Sequence, residues 1–147
     1  MKVLLTGSSK GIGHKIAEDL LAEGHELALH YNKNESPLKA LLKKDKTGSF
    51  SIQADLSQQD EIKKMVINTI DKLSFPDCII NNAGIAESAD ISIDVDNWSK
   101  MFDRTIDVNL KAPSIIFKEF LKYKREKKIN SRLRIINIAS RAAFRGE

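Results

Sequence analysis

The 147-residue chain has one cysteine, three prolines, one tryptophan and no apolar run near the ~20 residues that a membrane-spanning helix requires. The lone Cys78 excludes an internal disulfide. In the apolar setting Asp-Cys-Ile-Ile-Asn it reads as a buried thiol, expected in a reducing, cytoplasmic compartment. One cysteine and three scattered histidines (His14, His25, His30) assemble no recognisable metal site. The opening MKVLLTGSSKG carries too short an apolar stretch for a secretory signal before it turns glycine-rich. Repeats, low-complexity tracts and linker-like segments are absent too, so one domain is expected, burying ~70% of the surface its unfolded chain exposes.

Charge is present in both signs, with 24 basic against 20 acidic residues and a formal net charge of +4. Much of the excess lies in Lys122–Lys128 and in Arg132 and Arg134. That run follows an amphipathic segment, where lysines complement the negative end of a helix dipole and face water. No nucleic-acid-binding motif accompanies it, so no nucleic-acid or membrane partner is expected.

Short β-like runs alternate with longer helix-like ones. Lys2–Leu5, 25–31, 48–55, 77–84 and 132–140 read as strands. Ile12, Ile16, Ala17, Leu20 and Leu21 recur at helical spacing, and Gly24 closes that helix. Ser36 with Pro37 behind it opens a second helix. Ser57, with Asp60 three residues on, resembles a capping box ahead of the stripe Ile62, Met65, Val66, Thr69, Ile70 and Leu73. Strands joined by helices imply right-handed crossovers and a parallel sheet covered on both faces, the doubly wound, Rossmann-like α/β class.

One long helical region, 96–128, separates the last two strands. Trp98, Met101, Phe102, Thr105, Ile106, Leu110, Phe117, Phe120 and Leu121 mark its apolar face. Pro113 cannot donate to the carbonyl of Asn109. The region therefore bends or divides into two helices, or the freed carbonyl is an acceptor for a water.

Thr6–Gly13, TGSSKGIG, joins the first strand to the first helix. Glycines there allow a tight turn and close approach of a pyrophosphate to the amides of a helix N-terminus. The Gly-x-x-x-Gly-x-Gly spacing differs from Gly-x-Gly-x-x-Gly and lacks the Gly-Lys-Ser/Thr ending of a P-loop. Further along come Asp55-Leu56 after the third strand, Asn81-Asn82-Ala83-Gly84 after the fourth, Asn109 in Val-Asn-Leu, and Ser140 after Ile-Ile-Asn-Ile-Ala. In order and spacing this set, spread over residues 2–147, resembles the short-chain dehydrogenase/reductase family.

The resemblance implies an NAD(P)-dependent oxidoreductase that interconverts a carbonyl and an alcohol by hydride transfer. It implies that Gly7, Ser9, Gly11, Ile12 and Gly13 wrap the pyrophosphate side, that Asp55 and Leu56 contact adenine, and that Asn82, Ala83 and Gly84 line the cleft. Asn81 reads instead as a tie between strands. An NAD-preferring site places an acid at the end of the second strand. Here Tyr31, Asn32 and Lys33 stand there, and Lys10 lies in the glycine loop. Two lysines and no opposing carboxylate favour NADP(H) over NAD(H).

For catalysis the resemblance implies that Ser140 hydrogen-bonds the substrate oxygen and that the Asn109 carbonyl holds a relay water. The family's Tyr-x-x-x-Lys pair is expected about a dozen residues after Ser140. The chain's own match to that spacing, Tyr123 and Lys127, lies before Ser140 on a charged helix end and reads as coincidence. The expectation is therefore a dinucleotide-binding domain over 1–147, incomplete at its C-terminus and truncated after the fifth strand. Such a chain would be inactive alone, with a small-molecule substrate and a homo-oligomer formed through 96–128. The alternative is a non-catalytic nucleotide-binding or interaction module.

Overall fold

Strand β1 (Lys2–Leu5) sends Val3 and Leu5 to one face and Leu4 to the other, and all three are buried. A strand buried on both faces belongs inside a covered parallel sheet. The computed structural model, which describes residues 1–140, places it there. The remaining strands are β2 (Glu26–Tyr31), β3 (Phe50–Gln53), β4 (Cys78–Asn81) and β5 (Arg134–Asn137), all parallel in the order β3-β2-β1-β4-β5. The chain builds outward from β1 in one direction, then crosses back to β4 and β5. The carboxyl ends of β1 and β4 thus flank the point where the winding reverses, the usual crevice for a ligand in such sheets.

Two helices cover each face. Helices α1 (Gly11–Ala22) and α2 (Ser36–Leu42) pack Ala17 and Leu38 against Val3, Leu5, Leu27, Leu29, Cys78 and Ile80. On the opposite face α3 (Gln59–Leu73) buries the whole expected stripe, Ile62, Met65, Val66, Thr69, Ile70 and Leu73, beside Leu4, Ala28, Ile52 and Ile79. The capping at the start of α3 differs from the expected box. Gln58 holds the N-cap position without a side-chain bond to the helix amides, while Ser57 donates its amide and hydroxyl to Asp55 Oδ1 (2.9 and 2.8 Å). Glu61, not Asp60, reaches back, accepting the Asp55 amide at 2.6 Å. A carboxylate at Asp55 outcompetes the Ser57 hydroxyl as the local acceptor.

The region 96–128 divides. Helix α4 (Val95–Ile106) passes into a π-helical turn, Asp107–Lys111, and then α5 (Ala112–Glu126). The Ala112 amide bonds the Asp107 carbonyl five residues back, so the ladder changes register immediately before Pro113, where a donor is missing. The apolar positions divide as well. Val108, Ala112, Ile116 and Phe120, four residues apart, are buried against α3 and the sheet. Trp98, Phe102, Ile106, Leu110, Phe117 and Leu121 form a second, exposed row, and α4 buries no residue at all. The single expected stripe was two, because one 3.6-residue period accommodates adjacent rows that simple apolar counting merges. At the outer edge of the sheet, Ile136 and Ile138 of the β5 segment are 46% and 40% exposed. Among the described residues no helix is long and apolar enough to cross a membrane.

Candidate functional site

The glycine loop and the turn after β4 are interlocked at the switch point. Thr6 Oγ1 accepts the amides of Asn82 and Ala83, both at 3.0 Å. Asn82 returns the contact, its Nδ2 donating to the carbonyls of Thr6 and Gly7 at 3.0 Å each. The packing leaves no room for side chains at two glycines. A Cβ on Gly7, whose φ is +67°, would lie 2.7 Å from Ala83 Cα. One on Gly13 would lie 2.3 Å from both Asn82 Nδ2 and the Gly7 carbonyl. Gly11 differs: its φ of +56° favours glycine, yet a Cβ there would meet nothing within 4 Å.

A second set of bonds ties the loop to β2 and β3. Ser8, fully buried, gives both its amide and its hydroxyl to the His30 carbonyl at 2.9 Å. The Gly7 amide donates to His30 Nδ1 at 3.0 Å, and His30 Nε2 faces the Ala54 carbonyl at 3.0 Å. Burial pushes the imidazole's pKa down; the Ala54 carbonyl and the charge of Asp55 pull the other way without restoring it. For Asp55, burial raises the carboxyl, but hydrogen bonds from Ser57 and the positive charges of Arg104 and Lys33 bring it below its ordinary value. Asp55 is therefore ionised at neutral pH.

These segments enclose a cleft of about 580 Å³. Gly7, Ser9, Lys10, Gly11, Ile12, Gly13, Asn32, Lys33, Leu56, Asn82, Ala83 and Gly84, all singled out from sequence, line it together. Tyr31 and Asp55 do not. Tyr31 packs against the core beneath α2, and the Asp55 carboxylate is turned into its own loop by Ser57. Residues that sequence reasoning missed also line the cleft, namely His30, Asn34, Ile85, Arg104 and Val108. Among the described residues that line it, none is a carboxylate. A separate groove at the end of α5 is lined by Lys118 and by Lys122, Lys124, Arg125 and Lys128 of the basic run.

Asn109 lies in the π turn, and its side chain clamps the backbone of Ile85. Oδ1 accepts the Ile85 amide at 2.9 Å and Nδ2 donates to the Ile85 carbonyl at 2.8 Å. The residue thereby fixes the turn that begins Asn82-Ala83-Gly84. Asn81 bridges to β5, its Nδ2 donating to Asn137 Oδ1 at 2.8 Å, while the Ile138 amide bonds the Asn81 carbonyl at 2.9 Å. Ser140 follows two residues later, exposed, three positions beyond the end of β5. Tyr123 is at the other end of the sheet. Its ring stacks on Phe75 at 6.5 Å with a 10° interplanar angle, and Lys127 Nζ sits 5.9 Å from the Tyr123 ring centroid.

The residues fit a dinucleotide. The N-cap of α1, Lys10, supplies no side-chain bond to the first-turn amides, which open on the cleft beside Gly11 and Lys10. The profile described as short chain dehydrogenase matches residues 1–147. A 3-oxoacyl-acyl-carrier-protein reductase of Staphylococcus epidermidis is 34% identical over 112 residues, covering 74% of this chain and 45% of the reductase. Its counterpart in Synechocystis is 29% identical over 147 residues, covering 97% and 57%. Among solved structures, a blue fluorescent protein from a metagenomic library in complex with NADPH superposes with a TM-score of 0.80 at 27% identity, covering 99% of this chain and 57% of that one. A metagenomic short-chain oxidoreductase in complex with NADP gives 0.78 at 28% identity, covering 95% and 62%. The chain thus spans about half the length of the curated relatives it matches. By profile, sequence and fold, it belongs to the short-chain dehydrogenase family.

Proposed function

We propose that the chain forms the cofactor-binding part of an NADP(H)-dependent oxidoreductase acting on a small carbonyl or alcohol. The observation that carries the reading is the interlocked pair of turns, Thr6–Gly13 and Asn82–Gly84, around a cleft lined by lysines and, among the described residues, no carboxylate. The first-turn amides of α1 would hold the pyrophosphate, with Gly11 leaving the approach open. Leu56 and Val108 offer apolar surface to the adenine. Asp55 supports that wall through its loop rather than by direct contact, which revises the role implied for it by the resemblance.

Lys10 and Lys33 would pair with a 2′-phosphate, with Asn32 and Asn34 beside them. Relatives bound to NADPH and NADP support this choice. Lys33→Glu is expected to weaken NADP+ binding by roughly tenfold or more, from one lost charge pair and one added repulsion, and NAD+ binding by far less. Titration calorimetry with both nucleotides reads the ratio; equal losses would refute the 2′-phosphate assignment.

A bound nicotinamide supplies the hydride. This chain's contribution to the chemistry would be the Ser140 hydroxyl, donating to the substrate oxygen, and the Asn109 main-chain carbonyl, holding a water for proton return. The Asn109 side chain is committed to Ile85, consistent with a role for the carbonyl alone. Tyr123 and Lys127 do not serve as the proton donor and its partner, because they lie at the amino ends of the strands, with Tyr123 stacked on Phe75. The 147 residues by themselves are therefore expected to bind NADP(H) without reducing carbonyls, which an NADPH-oxidation assay over a panel of ketones and aldehydes checks.

The exposed row on α4 and α5 favours a second copy of the chain as its cover, since six large apolar side chains on one surface exceed the scatter usual on a monomer. Phe117→Glu with Leu121→Glu should shift the sedimentation behaviour to that of a monomer, while leaving NADP+ binding unchanged. No shift would remove this surface from the assembly.

A further inference from the structure

We propose that neutral His30 is a positioning residue for the cleft, holding the glycine loop in its anion-binding shape by accepting the Gly7 amide. Nucleotide affinity then depends on the ring staying unprotonated. The inference rests on the cofactor reading above. A backbone N–H can only donate, so the 3.0 Å contact from Gly7 fixes Nδ1 as the bare acceptor nitrogen. The proton consequently sits on Nε2 and is donated to the Ala54 carbonyl at 3.0 Å. One ring, 2% exposed, joins the ends of three adjacent strands, and the His30 carbonyl takes the amide and hydroxyl of Ser8 on the same loop. Few side chains offer an acceptor and a donor in this fixed opposition. Protonating Nδ1 would set two N–H groups against each other and release Gly7, whose packing on Ala83 leaves little tolerance for movement.

The surroundings oppose such a proton only in part. Asp55 is the acidic neighbour that favours it, and Glu61 lies behind Asp55, bonded to its amide. Lys10, Lys33 and Arg104 line the same cleft with the opposite sign, and Tyr31 follows on β2. Burial is the largest influence and pushes the ring below its ordinary value. The sign follows from linkage. A depressed folded-state value gives stabilisation that is complete above the unfolded value of 6.5 and lost as pH falls through the lower, folded one.

The test uses the 147-residue chain, NADP+ as probe and calorimetry from pH 7.5 down to the acid limit of the folded state. Wild-type affinity should fall on acidification, approaching tenfold per pH unit below the ring's titration point. His30→Asn keeps an acceptor that cannot titrate. It should bind within a few-fold of wild type at pH 7.5 and retain only the milder pH dependence that comes from the 2′-phosphate. His30→Leu, which removes the acceptor, should bind weakly at every pH. A pH profile identical in wild type and His30→Asn overturns the proposal. So does an Nδ1-protonated tautomer in the nitrogen-15 spectrum of the imidazole at pH 7.5. Should NADP+ not bind at all, the cofactor reading falls by itself. The Gly7 amide resonance then decides the positioning role, which requires it to shift with His30 protonation and is refuted by a Gly7 signal indifferent to it.

Discussion

Gly13→Ala is expected to abolish measurable NADP+ binding and to destabilise the fold by about 1–3 kcal/mol, the usual range for overpacking a closed site. The added methyl would sit 2.3 Å from the Gly7 carbonyl and from Asn82 Nδ2, and neither can retreat easily. The Gly7 carbonyl belongs to a loop pinned by His30, Ser8 and Asn82, and Asn82 Nδ2 is bonded to two carbonyls at once. Something must move, and the least constrained choice is the first turn of α1, whose amides face the cleft. The same substitution at Gly11 meets open space and carries only the left-handed backbone cost, near 1 kcal/mol. Thermal unfolding and calorimetry on the two variants should therefore separate, with Gly13→Ala failing in both and Gly11→Ala retaining the fold. Equal behaviour would mean that the contact at Gly13 is not the constraint inferred here.

Thr6→Val should cost about 2 kcal/mol or more, despite an almost unchanged shape. Valine cannot accept hydrogen bonds, so the Asn82 and Ala83 amides both lose the oxygen they share. Each buried, unsatisfied donor costs ~1–3 kcal/mol, and the half-buried setting of these two places the sum near the low end. For a chain of this size that corresponds to a melting-temperature fall of roughly 6–10 °C. Thr6→Ser keeps the oxygen and should lose much less. The pair of variants isolates the hydrogen bonds from the methyl group, since Thr6 is buried and Val replaces it nearly isosterically. A valine variant as stable as the serine one would show that the two turns are held together by packing alone.

Much of the frame was legible in the sequence because the doubly wound fold writes itself in local signals. Both faces of β1 are apolar, the α3 stripe repeats at helical spacing, and the glycines fall where β1 must turn into α1. The winding reversal between β1 and β4 then follows from the crossover rules, and with it the place of the cleft. What escaped was set by pairing across distant segments. His30 looks like an ordinary strand residue until β1 and β3 bring Gly7 and Ala54 to either side of its ring. Arg104 reaches the cleft from α4, and nothing in its neighbours along the chain signals that. The Asn109 side chain was likewise invisible, since its partner Ile85 is 24 residues away. Tyr31 and Asp55 differ from the other singled-out residues in their local partners: Tyr31 packs against the core, and an Asx turn holds the Asp55 carboxylate to its own loop.

Amide chemical-shift mapping of the chain titrated with NADP+ tests the cofactor cleft most directly. The account predicts perturbations confined to Gly7–Gly13, Asn32–Asn34, Leu56 and Asn82–Gly84, with saturation at lower concentration for NADP+ than for NAD+. Perturbations gathered instead on Lys118–Asn130, or none at saturating nucleotide, would contradict it.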